Sequence, residues 1–187
     1  MFHPHWLSVS RSSQRELISR YIATLPSASS TSSQDIFQST LEEAQLTDVA
    51  AILKWGLRRM KLEGGNFGGA EASTAKSDGW GWYTNFAEAE RMSSFPEDAF
   101  SKQLLPLLPP SHVDLLKDLL DLLSSVAAHA QGNGMFNTKL CKVLAWWVVC
   151  SRKWSVQNES KDTWTDFYDA WDRASRILEH IMLAYLR

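Results

Sequence analysis

An all-α fold, forming a single domain of seven or eight helices, is predicted from two features of the sequence. Apolar residues recur at three- and four-residue spacing through most of the 187 residues, which is the period of one helix face. No segment has the pattern of a strand. Because no repeat occurs at the period of a solenoid, one core over residues 1–187 is the expected arrangement.

The first three helices are marked by serine or threonine caps and by a proline. Ser12 and Ser13 stand before an apolar stripe that Pro26 closes, so they are the predicted N-caps of the first helix. A short second helix is predicted over residues 34–43. Thr47 is then predicted to cap a third helix, which runs to the glycine-rich segment that follows.

A glycine-rich segment, residues 61–81, interrupts the helical pattern. It holds six of the nine glycines of the chain, so a flexible insertion is expected there. Its GGNFGG lacks the Gly-Lys-Ser/Thr ending and the preceding apolar strand that a phosphate-binding P-loop needs. Nucleotide binding by this segment is therefore not favoured.

The second half of the chain is predicted to hold the central helices of the core. One helix follows the glycine-rich segment, and Pro96 opens a short amphipathic helix that three further prolines break. From Ser111 the leucines form the stripe of a central core helix, in the longest regular run of the sequence. Another helix is predicted from Asn137 or Thr138, and a last one over about residues 163–186.

The charge balance gives no global attraction to nucleic acid or to an acidic membrane. Nineteen Lys and Arg stand against 21 Asp and Glu, for a net charge of -2, so any cationic site must be local. The longest apolar run, residues 143–150, is too short to span a bilayer. The N-terminus lacks the apolar region of a signal peptide, so a cytosolic or peripheral protein is expected.

Patterns of conventional catalysis and metal binding are weak. The five histidines are scattered and no cluster completes a ligand set, so neither a metal nor another cofactor is predicted. No GxSxG motif occurs. Cys141 and Cys150 lie on one predicted helix, roughly 13 Å apart by helical rise, which is too far for a disulfide. We interpret both as buried free thiols, and we expect no enzymatic activity.

The stretch AAILKWGLRRMKLEGG carries two cations one turn apart on an otherwise apolar helix. Lys54 and Arg58 share one helical face, where like charges repel slightly unless an anion or a buried acceptor receives them. The spacing therefore predicts a partner for the two side chains. Either they belong to a binding site, or they pair inside the chain with Asp48, Glu63 or Glu90.

Two blocks, in this order, resemble a Rho-type GTPase-activating (RhoGAP) domain. LTDVAAILKWGLRRM resembles a RhoGAP helix that has Asp-Val near its start and then L-K-x-x-L-R. The matching residues are Asp48, Val49, Leu53, Lys54, Leu57 and Arg58. The later block is similar to a long Leu-rich helix followed by an Asn-x-Met turn, matched by Asn133 and Met135, and then a further helix. The two blocks cover about residues 46–149.

A similarity over nearly the whole chain is to the fungal morphogenesis and meiotically up-regulated family, whose members carry a RhoGAP-like region. It is carried by the segments KWGLRRMKLEGGNFG, WYTNFAEAE, FPEDAFSKQLLPLLPPSH and WDRASRILEHIMLAYLR. The resemblance implies a cytoplasmic protein at sites of polarised growth, peripheral to the cell cortex and without a transmembrane segment. The implied partners are a Rho-family small GTPase or polarity proteins, and not nucleic acid.

The resemblance also implies that the catalytic arginine is missing. RhoGAP domains insert an arginine finger, from a G-x-F-R-x-x-G loop, beside the transferring phosphate. Counting back from Glu16 places Trp6 at that position, which implies a non-catalytic binding or scaffold module. Two alternatives stay open: an active GTPase-activating domain that uses Arg11 or Arg15, and a purely structural helical interaction domain.

Four residues are the predicted protein-binding residues of the module. Lys54 and Arg58 come from the third helix, and Asn133 comes from the Asn-x-Met turn. Lys139 stands where the last RhoGAP helix usually begins with Asn. No residue is predicted to be catalytic, because the finger position holds a tryptophan.

Overall fold

The computed structural model describes residues 10–25, 31–59, 67–68, 80–149 and 164–187. Every regular element in these ranges is helical, and the ranges hold eight α-helices. The predicted all-α fold class is confirmed. Contacts within the chain form two compact units, Met1–Met60 and Lys61–Arg187, here called the first and second units. The placement of both units in a single domain stays a prediction.

The first unit contains α1 (Arg11–Ala23), α2 (Thr31–Glu43) and α3 (Leu46–Arg59). The N-cap of α1 is Ser10, whose Oγ accepts a hydrogen bond from the backbone N–H of Ser13 at 3.3 Å. The prediction of Ser12 and Ser13 as caps was therefore wrong. Both serines lie in the first turn of α1, because Ser10 already has the extended backbone of an N-cap.

The start of α3 is fixed by a contact with the start of α1. The backbone N–H groups of Asp48 and Val49 donate to the carbonyl of Gln45 at 2.9 and 3.1 Å, so the helix begins before the predicted cap, Thr47. Asp48 is buried, and its Oδ1 accepts from the backbone N–H of Ser10 at 3.3 Å. One carboxylate therefore joins the N-terminal ends of two helices.

The second unit contains five α-helices, including the two longest of the described chain. They are α4 (Gly81–Met92), α5 (Pro110–Ala128), the short α6 (Ala130–Asn133), α7 (Asn137–Val149) and α8 (Trp164–Leu186). Between α4 and α5, a π-helical turn (Phe100–Leu104) and a 3-10 turn (Leu105–Leu107) replace the predicted amphipathic helix. Pro106 lacks the backbone N–H that a longer α-helix would need at this point.

Helix α8, with 23 residues, is the longest described element, whereas the run from Ser111 was predicted to be the longest. Helix α7 packs along α8, and α5 contacts both. The predicted leucine stripe of α5 is confirmed as core, since Leu116, Leu119, Leu120 and Leu123 are all buried. These three helices therefore enclose the main core of the second unit.

Four residues of the glycine-rich segment are described, namely Phe67 and Gly68 and, at its end, Trp80 and Gly81. Phe67 is 2% exposed, and its ring stacks on His112 of α5 with centroids 5.4 Å apart. It also meets the ring of Trp82 edge-on, at 5.3 Å. The backbone N–H of Gly68 donates to Nδ1 of His112 at 3.2 Å.

At the end of the segment, Trp80 is buried and its Nε1 donates to the carbonyl of Val149 at 2.9 Å, and Gly81 begins α4. The remaining residues of the predicted flexible insertion lie outside the described residues.

Replacement of Gly68 by alanine should destabilise the protein by about 2–4 kcal/mol. Gly68 has φ +92, and a Cβ there would lie 2.1 Å from Cδ1 of the buried Trp82 ring. Urea unfolding followed by circular dichroism measures the free energy of unfolding. The matched control is Gly132→Ala, because a Cβ on Gly132 would meet no atom within 4 Å. Equal effects of the two substitutions would contradict the anchoring of the Phe67–Gly68 pair.

Candidate functional site

The four predicted binding residues are divided between the two units. Lys54 and Arg58 lie on α3 of the first unit. Asn133 ends α6 and Lys139 lies in the first turn of α7, so these two residues flank one short turn of the second unit. The structure therefore brings Asn133 and Lys139 together, and each pair is described within its own unit.

On α3, the predicted cations have different surroundings. Lys54 is half-buried and takes part in an interaction with its surroundings. The side chain of Arg58 lies outside the described part of the chain. The guanidinium of Arg59 lies 4.8 Å from the centre of the Trp55 ring, and the same ring meets Tyr21 of α1 edge-on, at 6.2 Å. Arg59 is thereby occupied by a cation–π contact.

The acids proposed as internal partners of Lys54 and Arg58 also have different surroundings. Asp48 accepts the N–H of Ser10, as described above, and Glu63 lies outside the described residues. Both carboxylate oxygens of Glu90 are bound by side chains of α8 and of the chain end. Pairing of Lys54 or Arg58 inside the chain stays a prediction.

Asn133 closes the turn between α6 and α7. Its Nδ2 donates to the carbonyl of Val126 at 2.9 Å, and its Oδ1 accepts from the N–H of Met135 at 2.8 Å. Gly134 between them has φ +65, a value that favours glycine. Lys139 is exposed, and its Nζ donates to the carbonyl of Gly134 at 3.3 Å. Asn133 thus holds the turn, while Lys139 presents its charge at the surface.

A buried ionic network that the sequence analysis missed joins α4 to α8. Glu90 of α4 is 0% exposed. Nε2 of His180 donates to its Oε2 at 2.6 Å, and Nη2 of Arg187 donates to its Oε1. The hydroxyl of Tyr83 lies 3.0 Å from Nδ1 of His180. Arg187 also donates through Nη1 to the carbonyl of Phe95 at 3.3 Å.

The hydrogen-bond partners of His180 indicate its tautomer. A carboxylate can only accept, so Nε2 of His180 carries a proton toward Glu90. With a neutral ring, Nδ1 then accepts from the hydroxyl of Tyr83. Burial, and secondly the charge of Glu90, raise the pKa of Tyr83, against a smaller lowering effect of Arg173. Tyr83 therefore stays a protonated donor and is not prepared to act as a nucleophile.

The sequence did contain an indication of this network. Tyr83 and Glu90 are seven residues apart on α4, and Arg187, directly after the last residue of α8, is seven residues from His180 on α8. Two polar residues at this spacing fall on one face of a helix, two turns apart. The two equal spacings are compatible with a contact between one face of α4 and one face of the C-terminal part of α8, but they do not specify that contact.

Cys141 is a buried thiol with no ready reactivity. Burial, and secondly the charge of Glu179, raise the pKa of Cys141 to about 12. Its Sγ donates to Oδ1 of Asn137 at 3.3 Å. The interpretation of Cys141 as a buried free thiol is confirmed. Cys150 lies outside the described residues.

Two further structural findings concern metals and membranes. Within the described ranges, no group of three or more His, Cys, Asp or Glu side chains is placed to hold a metal ion. Among the helices of the same ranges, none has the length and apolar character needed to cross a bilayer.

Replacement of Glu90 by glutamine should cost about 2–4 kcal/mol of stability. This is less than for a fully enclosed ion pair, because His180 and Arg187 reach solvent in part. The amide cannot balance the charge of Arg187, and its geometry cannot satisfy both donors. Urea unfolding gives the cost, with the exposed Glu88→Gln on the same helix as the control, which should change stability by less than about 0.5 kcal/mol. A Glu90→Gln protein as stable as this control would contradict the network.

The Cys141 thiol should react about a thousandfold more slowly in the folded than in the unfolded protein at pH 8, because its pKa is about three units above the ordinary value. A Cys150→Ser background leaves Cys141 as the single thiol, and alkylation by iodoacetamide with and without urea gives the two rates.

The same pKa shift makes stability depend on pH. The Cys141 thiol loses its proton near pH 9 in the unfolded chain, whereas in the folded chain it keeps the proton to about pH 12. The contribution of Cys141 to stability is therefore complete below pH 9 and falls as the pH rises above it. Alkylation rates of Cys141 in the folded and unfolded protein that lie within tenfold of each other would contradict the assignment of Cys141 as a buried thiol.

Comparison with known families gives one match. A family model, described as the meiotically up-regulated protein Msb1/Mug8 domain, matches residues 1–187. No curated protein and no solved structure matches the chain. The family implies a role in morphogenesis or meiosis. Since the match extends over every residue of the sequence, the chain belongs to the Msb1/Mug8 domain family of meiotically up-regulated proteins.

Proposed function

We propose that this domain is a non-catalytic interaction module of morphogenesis pathways whose partner is a Rho-type GTPase. The observation that carries the non-catalytic part is the Glu90 network. The carboxylate of Glu90 is buried, and both of its oxygens are bound, by His180 and Arg187. Its role in the second unit is to join helices.

The other candidate nucleophiles also argue for a binding role. A catalytic nucleophile needs access to its substrate and a pKa lowered toward the working pH. For both Tyr83 and Cys141 the pKa is raised, with burial as the largest cause. These shifts favour the protonated side chains, which are poor nucleophiles.

The assignment of a GTPase partner depends on α3. Its L-K-x-x-L-R sequence, with Lys54 and Arg58 one turn apart, resembles the RhoGAP helix that faces the GTPase. Trp6, at the finger position, lies outside the described residues. Arg11 and Arg15 are exposed on α1, which packs against α3. The two cations of α3 suit an anionic surface, where charge complementarity mainly governs specificity and the rate of association.

Lys139 is the second contact that we assign to the partner. It lies on the surface at the start of α7, and its aliphatic stem is held near the turn by the hydrogen bond to Gly134. A cation in this position adds to the association rate through long-range attraction. Asn133 contributes by holding the turn in shape, because both ends of its amide are bound within the chain.

Binding to a panel of Rho-family proteins, loaded with GDP, a GTP analogue or GDP with aluminium fluoride, tests the proposal. We expect at least one member to bind, and Lys54→Glu with Arg58→Glu to weaken that binding about tenfold or more, which corresponds to about 1.4 kcal/mol. Lys139→Glu should weaken it less. The matched control is Lys117→Glu with Lys142→Glu, which makes the same change in charge at two exposed positions. Circular dichroism verifies that each variant is folded.

Three outcomes would favour another function. Multiple-turnover GTP hydrolysis that Arg11→Ala or Arg15→Ala abolishes would support an active GTPase-activating domain. A marked preference for the aluminium fluoride complex would point in the same direction, since it mimics the transition state. Binding partners that are unchanged by Lys54→Ala and Arg58→Ala would support a purely structural helical domain.

A further inference from the structure

A groove of about 520 Å³ separates α1 from α2 in the first unit. Helix α1 contributes a stripe that includes Ser13, Leu17 and Arg20, at spacings of four and three residues. The stripe of α2 includes Ile36 and Ser39 and ends in the last turn of the helix. Each stripe spans about two turns, or roughly 10 Å at 1.5 Å per residue. A groove of these dimensions can bind about two turns of a third helix.

The shape of the groove suits a helix better than an enclosed small molecule. Pockets for small ligands bury most of the ligand surface, whereas half of the side chains that line this groove are exposed. The hydroxyl side chains of Ser13 and Ser39 are small and leave space between the two helices. A ridge of side chains on a third helix fits into such a space, as in ordinary helix packing.

An apolar contact is available on the wall of the groove. Ile36 of α2 lines it and is 49% exposed. None of the described side chains of α2 is fully buried, so this helix is only half covered. Phe37 anchors its other side through the ring of Tyr21 on α1, with centroids 5.7 Å apart. An apolar side chain of a partner placed on Ile36 would remove its exposed half from water.

The groove carries uncompensated negative charge. Glu16 and Arg20 neutralise each other through a salt bridge of 2.7 Å. Asp35 and Glu43, both exposed and lining the groove, have no ion-pair partner among the described residues. Glu43 is also at the C-terminal end of α2, where the helix dipole disfavours a negative charge and where no basic residue is present in the last turn. These two negative charges are not paired within the described fold, so they are available to attract a cationic partner.

We propose that the α1–α2 groove binds a basic amphipathic helix of a partner protein, with an apolar residue on Ile36 and one Lys or Arg opposite each of Asp35 and Glu43. The two acids are eight residues apart on α2, or about 12 Å. The matching cations are therefore seven or eight residues apart on the partner helix, with the apolar residue between them. This surface is distinct from the cations of α3 and α7, so the inference goes beyond GTPase binding. The negative charge of the groove disfavours an acidic membrane.

The test uses the full chain and a fluorescein-labelled, Ala-based helical peptide with two lysines eight residues apart and leucine between them. A peptide with glutamate in place of both lysines is the reversed-charge control. Fluorescence anisotropy should show saturable binding of the lysine peptide only, and the affinity should fall as salt is added. Asp35→Lys with Glu43→Lys should weaken this binding at least tenfold, and Ile36→Ser should weaken it at least threefold.

Glu42→Lys is the control for a single charge reversal on the same helix, and it is compared with Glu43→Lys alone. Glu42 is exposed and adjacent to Glu43 on the same helix, but it does not line the groove. Glu42→Lys should leave the affinity for the lysine peptide within about twofold of the wild-type value, because one exposed charge outside the groove contributes little. Circular dichroism of all variants checks that α2 stays folded. Lys54→Glu with Arg58→Glu should retain peptide binding, which separates this site from the proposed GTPase contact.

Several results would overturn the inference. One is equal binding of the lysine and glutamate peptides, or no saturable binding of either. Another is a Glu42→Lys effect as large as that of Glu43→Lys alone. If sedimentation shows a dimer, and the Asp35 and Glu43 reversals abolish it, the groove would be assigned to a second copy of the chain. Binding of phosphatidylserine vesicles by the wild-type chain that Ile36→Ser weakens, with no peptide binding, would assign α2 to a membrane surface.

Discussion

The buried carboxylate of Glu90 is the constraint on which the second unit depends. A charge with no access to water is very costly unless cations and hydrogen-bond donors surround it. His180 on α8 and Arg187 directly after it satisfy this need only when α4 and α8 are aligned so that both side chains reach Glu90. Since α8 packs along α7 and contacts α5, fixing α4 against α8 places the other helices of the unit. A slip by one turn would leave the carboxylate without its partners.

Aromatic side chains along α4 support the same alignment. Phe86 of this helix is buried and lies 5.5 Å from the ring of His180, so apolar contact and ionic contact share one histidine. Trp82, one turn earlier, receives the ring of Phe67 and the backbone of Gly68. The glycine-rich segment thus contributes the buried side chains of Phe67 and Trp80 to the core, although its composition predicts an insertion. Apolar area provides most of the stability here, and the Glu90 network selects the register.

The features that the sequence predicts correctly depend on residues close to one another in the sequence, whereas the features that it misses depend on residues far apart in the sequence. The leucine stripe of α5 depends only on residues within a helix, and it was predicted correctly. The cap of α1 was not, because Ser10, Ser12 and Ser13 have similar capping preferences and the choice depends on Asp48, 38 residues away from Ser10. The partners of Glu90 are 90 and 97 residues distant. The sequence supplies the four polar positions but does not determine which of them pair.

The two units use their charges in different ways, and this difference bears on function. In the second unit, Glu90 has its charge balanced inside the chain, so it contributes to the fold and has no capacity left for a partner. In the first unit, Asp35 and Glu43 are exposed, and the last turn of α2 carries acidic charge that its dipole disfavours. Local choices that oppose folding are expected where a surface serves another purpose. A binding module needs this division, because a rigid core keeps its shape while unsatisfied surface charges select what it binds.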